Sequence, residues 1–310
     1  MILTVTLNTA LDLTYAVPAL VPHSSHRVNE VTERPGGKGV NVARVLSALG
    51  HDTVVTGFAG GSTGTVLREL LGALPQGPTD ALVTVAGNTR RTLAVVDRSS
   101  GDTTQLNEPG PHIGAGEWAA FLGTFRDLLP RAVAVALCGS LPPGVHVGAY
   151  AELVRLARSA EVPVLLDTGG EPLRRGIAAR PDLVKPNAEE LAQLTGAREP
   201  LRATRDARRR GAHSVVTSLG PDGLLAVTPD GIWRAAPPAA VRGNPTGAGD
   251  SAVAGLLSAL AEGLGWQDRL ARAVALSTAT VLAPAAGEFD REAYEDLLPR
   301  VVVEQHTPAA

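Results

Sequence analysis

Residues 132–166 read AVAVALCGSLPPGVHVGAYAELVRLARSAEVPVLL. Two buried-type apolar runs, Ala132–Leu137 and Val162–Leu166, stand on either side of a helical segment over 148–160. A strand, a helix and a second strand of this kind indicate a parallel sheet covered on both faces. Downstream, a short helix near 171–178 precedes Leu183-Val184, and helices over 187–195 and 201–210 precede Ser214–Ser218. Upstream, a helix over 116–129 leads into the unit. At the start of the chain Ile2–Leu7 reads as a strand, Gly36–Gly39 opens a helix stopped by Gly50, Thr53–Ala59 is a strand and Thr65–Leu74 a helix. After residue 245 the strand signal mostly stops. Gly247–Gly263, Gln267–Leu282 and Arg291–Leu298 read as helices, and the Pro/Ala-rich 235–240 as a loop.

This α/β core is interrupted at about 9–34 and 87–110 by short, extended segments of mixed polarity. Residues 81–85, 91–97 and 103–108 read as short antiparallel strands, with Ser99-Ser100-Gly101-Asp102 as a hairpin turn. The interrupting pieces are expected to pair into a small sheet standing off a single core over 1–310. Its bare apolar face needs a bound substrate or another subunit to cover it.

Composition excludes several classes of function. With 310 residues and 44% hydrophobic content the chain can bury a sizeable core, and the net charge of −3 argues against nucleic acid held by bulk charge. Arg202, Arg205, Arg208, Arg209 and Arg210 cluster without interleaved aromatics and read as a solvated helix face. One cysteine, Cys138, excludes an intramolecular disulfide and a Cys-rich metal site. No basic region precedes an apolar run at the start, and no apolar run reaches membrane-spanning length, so a soluble, cytoplasmic protein without a membrane partner is expected. Of 28 basic residues only Lys38 and Lys185 are lysine.

The sharpest motif is Asn244-Pro245-Thr246-Gly247-Ala248-Gly249-Asp250-Ser251, a tight turn leading straight into a helix. Free amides of Gly247, Ala248 and Gly249 at a helix start make an anion site, and the dipole favours an ionised Asp250 as general base. An amide cradle beside a carboxylate is what phosphoryl transfer to a hydroxyl needs; a plain acidic cap on a glycine-rich helix start is the bland alternative. The segment also fits a loose Gly-x-Gly-x-x-Ala dinucleotide fingerprint, but too little βαβ pattern follows it, and no P-loop is present. Arg34-Pro35-Gly36-Gly37-Lys38-Gly39-Val40-Asn41 is a second glycine turn before a helix, offering a point charge in Lys38 and a donor and acceptor in Asn41. In Val184-Lys185-Pro186-Asn187-Ala188-Glu189-Glu190, Asn187 and Glu190 have capping-box spacing. The functional reading of the same residues puts Glu190 near a Mg²⁺-water cluster and Lys185 near nucleotide phosphates. Ser218-Leu219-Gly220-Pro221-Asp222-Gly223 is an ordinary turn or the lining of a nucleotide site. Arg27 and Arg90 sit in the interrupting segments, where guanidinium forks would clamp a phosphate. A competitor, Gly60-Gly61-Ser62-Thr63-Gly64, has the form of a hydrolase nucleophile elbow and would need Asp167 with His213 or His306.

Together these segments resemble the ribokinase/PfkB carbohydrate kinase family over essentially the whole chain. Gly36–Asn41 and Asn244–Ser251 look like its two signature regions, with Asn244-Pro245 in place of the usual Asp-Thr. The opening Thr6–Asp12 looks like the 1-phosphofructokinase and tagatose-6-phosphate kinase branch, from whose Asn-Pro-x-x-Asp pattern Thr9 departs. Asn88-Thr89-Arg90, Cys138–Gly144 and Val184–Asn187 look like the same branch.

The resemblance implies a Rossmann-like (ribokinase-like) three-layer α/β core with a mostly parallel sheet, plus a small β-sheet lid that pairs subunits into a homodimer. It implies ATP near Lys185, Asn187, Ser218, Gly220 and Gly223, and Mg²⁺ met through water by Glu190. The sugar hydroxyls would meet Asp12, Gly37, Lys38 and Asn41, and an existing phosphate Arg90, Ser140 and Arg27. Asp250 would take the proton of the attacking hydroxyl while the amides of Gly247, Ala248 and Gly249 stabilise the transferred phosphoryl. The implied substrates are fructose 1-phosphate, tagatose 6-phosphate and fructose 6-phosphate. Alternatives are a kinase of an unphosphorylated sugar, which has no use for Arg90, and a sugar-phosphate sensor, which would be marked by loss of Asp250 or its glycine turn.

Overall fold

The computed structural model of the protein describes residues 1–283 and 285–306, so residues 307–310 of the domain expected over 1–310 lie outside it. In chain order the elements are β1 (Ile2–Thr6), β2 (Ala10–Val17), β3 (Glu30–Gly36), α1 (Lys38–Ala48), β4 (Thr53–Gly60), α2 (Gly61–Gly72), β5 (Thr79–Val85), β6 (Arg90–Asp97), β7 (Thr103–Asn107), α3 (Ala115–Leu128), β8 (Ala134–Cys138) and α4 (Ala149–Ser159). They continue as β9 (Val164–Asp167), α5 (Gly170–Ala178), β10 (Leu183–Val184), α6 (Ala188–Thr195), α7 (Pro200–Arg209), β11 (Ser214–Ser218), β12 (Leu224–Thr228), β13 (Gly231–Ala236), α8 (Ala248–Ala261), α9 (Trp266–Val281), α10 (Arg291–Leu297) and β14 (Val302–His306).

Ten strands form one sheet in the order β14-β13-β12-β11-β10-β9-β8-β1-β4-β5. From β11 to β5 every neighbouring pair is parallel. All five residues of β1 and of β8 are buried, because helices cover both faces. Alternation splits them: Leu3, Val5, Val135 and Leu137 pack with Phe121 and Tyr150 of α3 and α4. Ile2, Ala134 and Ala136 pack on the other face with Val42, Leu256 and Leu276 of α1, α8 and α9. This is the three-layer, mostly parallel α/β core. A second sheet, β3-β2-β6-β7, stands beside it. Within it β2 runs parallel to β6, while β2–β3 and β6–β7 are antiparallel.

Three sequence expectations need correction. Residues 81–85 are not an antiparallel strand but part of β5, the parallel edge of the large sheet beside β4. Its half-exposed alternation reflects an outer strand, which imitates an antiparallel one. The sheet does not stop at β11: β12, β13 and β14 extend it antiparallel, so residues 235 and 236 belong to a strand and not to a loop. The helix expected from Thr65 begins at Gly61.

The chain passes from β1 outward to β4 and β5, then returns to β8 on the other side of β1. Such a reversal opens a crevice beyond the carboxyl ends of the strands. Among the described residues no helix is long and apolar enough to cross a membrane.

Candidate active site

The crevice at this reversal is a cleft of about 830 Å³, whose walls include Asn8 after β1, Gly139 and Ser140 after β8, Lys38 at the start of α1 and Arg90 at the start of β6. Asn8 is 6% exposed and ties the walls together. Its Nδ2 donates to Ser140 Oγ and to the Pro109 carbonyl, both at 3.1 Å. Arg90 donates through Nε to the Asn8 carbonyl at 3.3 Å and through Nη1 to Thr92 Oγ1 at 3.3 Å. Glycine is required beneath this wall. An added Cβ at Gly36 would stand 2.1 Å from Asp12 Oδ2, and at Gly39 2.4 Å from Thr6 Oγ1. Gly37 takes φ 105°, and a Cβ there would stand 2.8 Å from Thr6 Cγ2.

Asp12 lies on β2 opposite Arg34 and Thr92. Burial pushes its carboxyl up to about 6, against the pull of Arg90, a hydrogen bond from Thr92 and the pull of Arg44. Arg34 and Arg44 both pair with Glu288, at 3.1 and 3.0 Å.

Deeper in, Asp250 occupies the first turn of α8 and is buried. Asn41 Nδ2 donates to its Oδ2 at 2.9 Å. Burial raises its carboxyl to about 6, with Lys38 pulling it down and Asp167 pushing it up. The amide cradle differs from the expectation in one respect: the Ala248 amide is not free, since it donates to the Pro245 carbonyl at 3.1 Å as part of the turn. The amides of Gly247 and Gly249 have no acceptor among the described residues. Gly247 caps the helix at φ 86°, and a Cβ there would stand 2.7 Å from Ala286 Cα.

Asp167, which the sequence offered only as a triad partner for the hydrolase alternative, stands at the carboxyl end of β9 and is 1% exposed. Lys38 Nζ reaches its Oδ2 at 3.3 Å and Lys185 Nζ its Oδ1 at 3.4 Å. Burial alone would raise this carboxyl, but the two ammonium groups together hold it below its usual value. Asp167 in turn raises Lys38 against its own desolvation. Lys185 Nζ also borders α8, 3.7 Å from where a Cβ of Gly249 would stand. The lone thiol, Cys138, ends β8 beside this cluster and is pushed up by burial.

A second cleft of about 880 Å³ lies further along the strand ends, bordered by Asn187, Ser218 and Gly220 and floored by Leu219, Leu225 and Ile232. Asn187 and Glu190 form the reciprocal cap of α6. Asn187 Oδ1 accepts from the Glu190 amide and Glu190 Oε2 from the Asn187 amide, both at 2.8 Å. Glu190 Oε1 lies against Gly169, where a Cβ would come within 3.3 Å. Lys38, Arg90 and Ser140 line the first cleft and Asn187, Ser218 and Gly220 the second, while Asp12, Arg27, Gly37, Asn41, Lys185, Glu190, Gly223 and residues 247–250 line neither. Gly223 faces β13, where a Cβ would meet the Ala235 carbonyl at 2.1 Å, and its φ of 83° closes the turn after β11. Arg27 is exposed on the loop between β2 and β3 and lines neither cleft.

The hydrolase alternative fails. Ser62 sits at the exposed start of α2, and the carboxylate a triad would need, Asp167, is taken by two lysines. The dinucleotide alternative fails too, since α8 leads into α9 and not into a strand.

Residues 4–292 match the pfkB carbohydrate kinase family. A 1-phosphofructokinase of Rhodobacter capsulatus is 39% identical over 291 residues, covering 91% of this chain and 92% of that protein. Among solved structures, one from Thermotoga maritima described as a possible 1-phosphofructokinase superposes with a TM-score of 0.90 at 29% identity, covering 99% of this chain and 100% of its own. Phosphofructokinase-2 of Escherichia coli in complex with fructose-6-phosphate superposes with a TM-score of 0.86 at 29% identity, covering 96% of this chain and 98% of its own.

Proposed function

The chain belongs to the pfkB family of carbohydrate kinases, and on that premise we propose that it transfers the γ-phosphoryl group of ATP to a hydroxyl of a ketohexose phosphate, giving the bisphosphate. The observation that carries this reading is a guanidinium in the sugar cleft. Arg90 shares one cleft with Ser140 and Lys38, and an unphosphorylated sugar would give it nothing to grip. The identity to a 1-phosphofructokinase favours fructose 1-phosphate, with O6 as the attacking oxygen. Fructose 6-phosphate, attacking through O1, is the second reading, favoured by the likeness to the E. coli enzyme. Tagatose 6-phosphate is a third candidate.

In this mechanism Asp12, Asn41, Lys38 and the backbone at Gly37 hold the sugar hydroxyls, and Arg90 and Ser140 its phosphate. Asp250, ionised above about pH 6, takes the proton as the hydroxyl attacks. The Gly247 and Gly249 amides and the Lys38 ammonium meet the charge on the transferred group, so the anion hole is two amides and a lysine in place of the three amides expected. ATP lies along the second cleft, its adenine over Leu219, Leu225 and Ile232 and its phosphates toward Lys185. No cluster of three acidic, His or Cys side chains that could cage a metal exists among the described residues. The donor set fits a Mg²⁺ carried mainly by nucleotide phosphates and water, with Glu190 Oε1 as the protein's share. When bound, the ion supplies charge neutralisation between the phosphates. The small sheet is the lid over the sugar and the surface through which two copies pair.

The test is turnover with ATP on a panel of fructose 1-phosphate, fructose 6-phosphate, tagatose 6-phosphate, fructose and ribose. A kcat/KM for fructose 1-phosphate well above the rest is expected. A preference for an unphosphorylated sugar would overturn the role given to Arg90, and no turnover on any sugar would leave a sensor.

A further inference from the structure

At the opposite ends of the same strands lies a groove that phosphoryl transfer does not use. Pro163, Asp182 and His213, which precede β9, β10 and β11, border a cavity of about 480 Å³ together with Trp233, Trp266 and Arg269. Two buried polar atoms in its wall have no partner among the described residues: Oγ of Ser214, a residue 1% exposed, and Nε1 of Trp233. Buried polar atoms are ordinarily hydrogen-bonded, so two orphans in one cavity point to a missing polar ligand. The guanidinium of Arg269 is 5.1 Å from the Trp266 ring centroid and donates to the Leu264 carbonyl at 2.7 Å, which fixes that wall.

Asp182 and His213 also border an adjoining cavity of about 510 Å³, whose remaining walls carry Arg158, Arg180, Arg208 and Arg209. Arg158 and Arg208 are tethered to the carbonyls of Ala179 and His213, at 3.2 and 2.8 Å. Among the described residues only Arg209 of the four has a carboxylate partner, Asp206 at 2.9 Å. Asp182 Oδ2 accepts from the Val164 amide at 2.8 Å, leaving its second oxygen for a hydroxyl donor.

We propose that this groove binds a nucleoside phosphate at a site distinct from the phosphoryl-transfer clefts. The base lies against the indoles of Trp233 and Trp266, with its polar edge toward Ser214 Oγ. The ribose hydroxyls meet Asp182, and the phosphates sit among Arg158, Arg180 and Arg208. A free phosphate would leave the indoles unused, and an apolar ligand would leave the arginines unused. One helix runs from the groove to Asp250. Leu260 near the end of α8 lines it, and Asp250 stands ten residues earlier on the same helix, about 15 Å away at 1.5 Å per residue.

Calorimetric titration of the full chain with ADP is expected to count two sites. The pair Arg158→Ala/Arg208→Ala should weaken one of them by about tenfold or more and leave sugar turnover unchanged. Arg180→Asn, which suits the φ of 63° at that position, should give the same loss independently. A single wild-type site that neither variant alters overturns the groove. A single site that both variants weaken retains the groove and instead overturns nucleotide binding at Asn187, so the two readings fail separately. Inorganic phosphate binding the groove as tightly as ADP overturns the nucleoside part.

Discussion

Lys38 and Lys185 reach the two oxygens of Asp167 at 3.3 and 3.4 Å, in a chain whose other basic residues are all arginine. A compact ammonium can share a buried carboxylate with a second ammonium where planar guanidinium groups would collide. Removing the anion leaves two cations facing each other, one of them, Lys185, 5% exposed at its side chain. Asp167→Asn is therefore expected to lose about 3 kcal/mol of stability in urea unfolding. An apolar pair, Asp167→Leu/Lys185→Met, should recover most of that loss but none of the activity. Both lysine turns were legible because each is a local motif. The pairing of Asp167 with both was not, and the sequence offered it only to a hydrolase triad, because nothing local marks the pairing until β8, β9 and β10 are aligned in space.

Asp250 shows the conflict between stability and chemistry at one atom group. Its carboxyl, raised from 3.8 to about 6, is favoured when protonated, so its ionisation opposes folding. That opposition is absent below about pH 4, grows between 4 and 6, and is complete above. Asp250→Asn should accordingly raise stability at pH 8 by on the order of 1–3 kcal/mol, a gain that vanishes near pH 4. The same variant should cut kcat by about 10²–10⁴. In the wild type kcat/KM is expected to fall as the pH drops through about 6. Asp12 titrates in the same range, and the fall should persist in Asp12→Asn if Asp250 governs it. Arg90→Ala should raise KM for the sugar phosphate strongly and leave KM for ATP nearly unchanged.

At the scale of elements, the start of α8 depends on one backbone conformation. Gly247→Ala would place a methyl 2.7 Å from Ala286 Cα at a φ of 86°. It should cost about 1–3 kcal/mol in denaturant titration and lower kcat as the freed amides turn away. This helix start was legible from Asn244–Ser251 alone, apart from the Ala248 amide, whose carbonyl partner depends on the turn's geometry. The strands β12 to β14 were not. β13 lies between β12 and a strand some seventy residues later, with Ile232 opposite His306, and such a pairing leaves no local mark. The capping box at Asn187 and Glu190 was legible as a cap, and the structure forms it.

The whole molecule is a covered sheet carrying a partly uncovered one. Strand β7 is exposed along its length, and Leu106 and Val31 are 58% and 54% exposed on opposite edge strands of the small sheet. Pairing of two copies through this sheet would hide them. Sedimentation is expected to show a dimer that Val31→Asp/Leu106→Asp converts to monomer, with sugar affinity falling as the lid loses its support. A dimer unaffected by both substitutions would move the subunit contact elsewhere. The existence of a small sheet was readable from the polar interruptions. Its mixed order was not, since β2 and β6 pair in parallel across some eighty residues.

Cys138 gives the crevice its own stopwatch. The thiol is fully buried at the end of β8, burial holds it in the unreactive protonated form, and the chain contains no other cysteine. A thiol reagent can therefore modify the native protein only during excursions that expose this strand end. The modification rate counts those openings directly, without any engineered label. Sugar phosphate and nucleotide, by closing the crevice around it, should slow the clock in proportion to their occupancy.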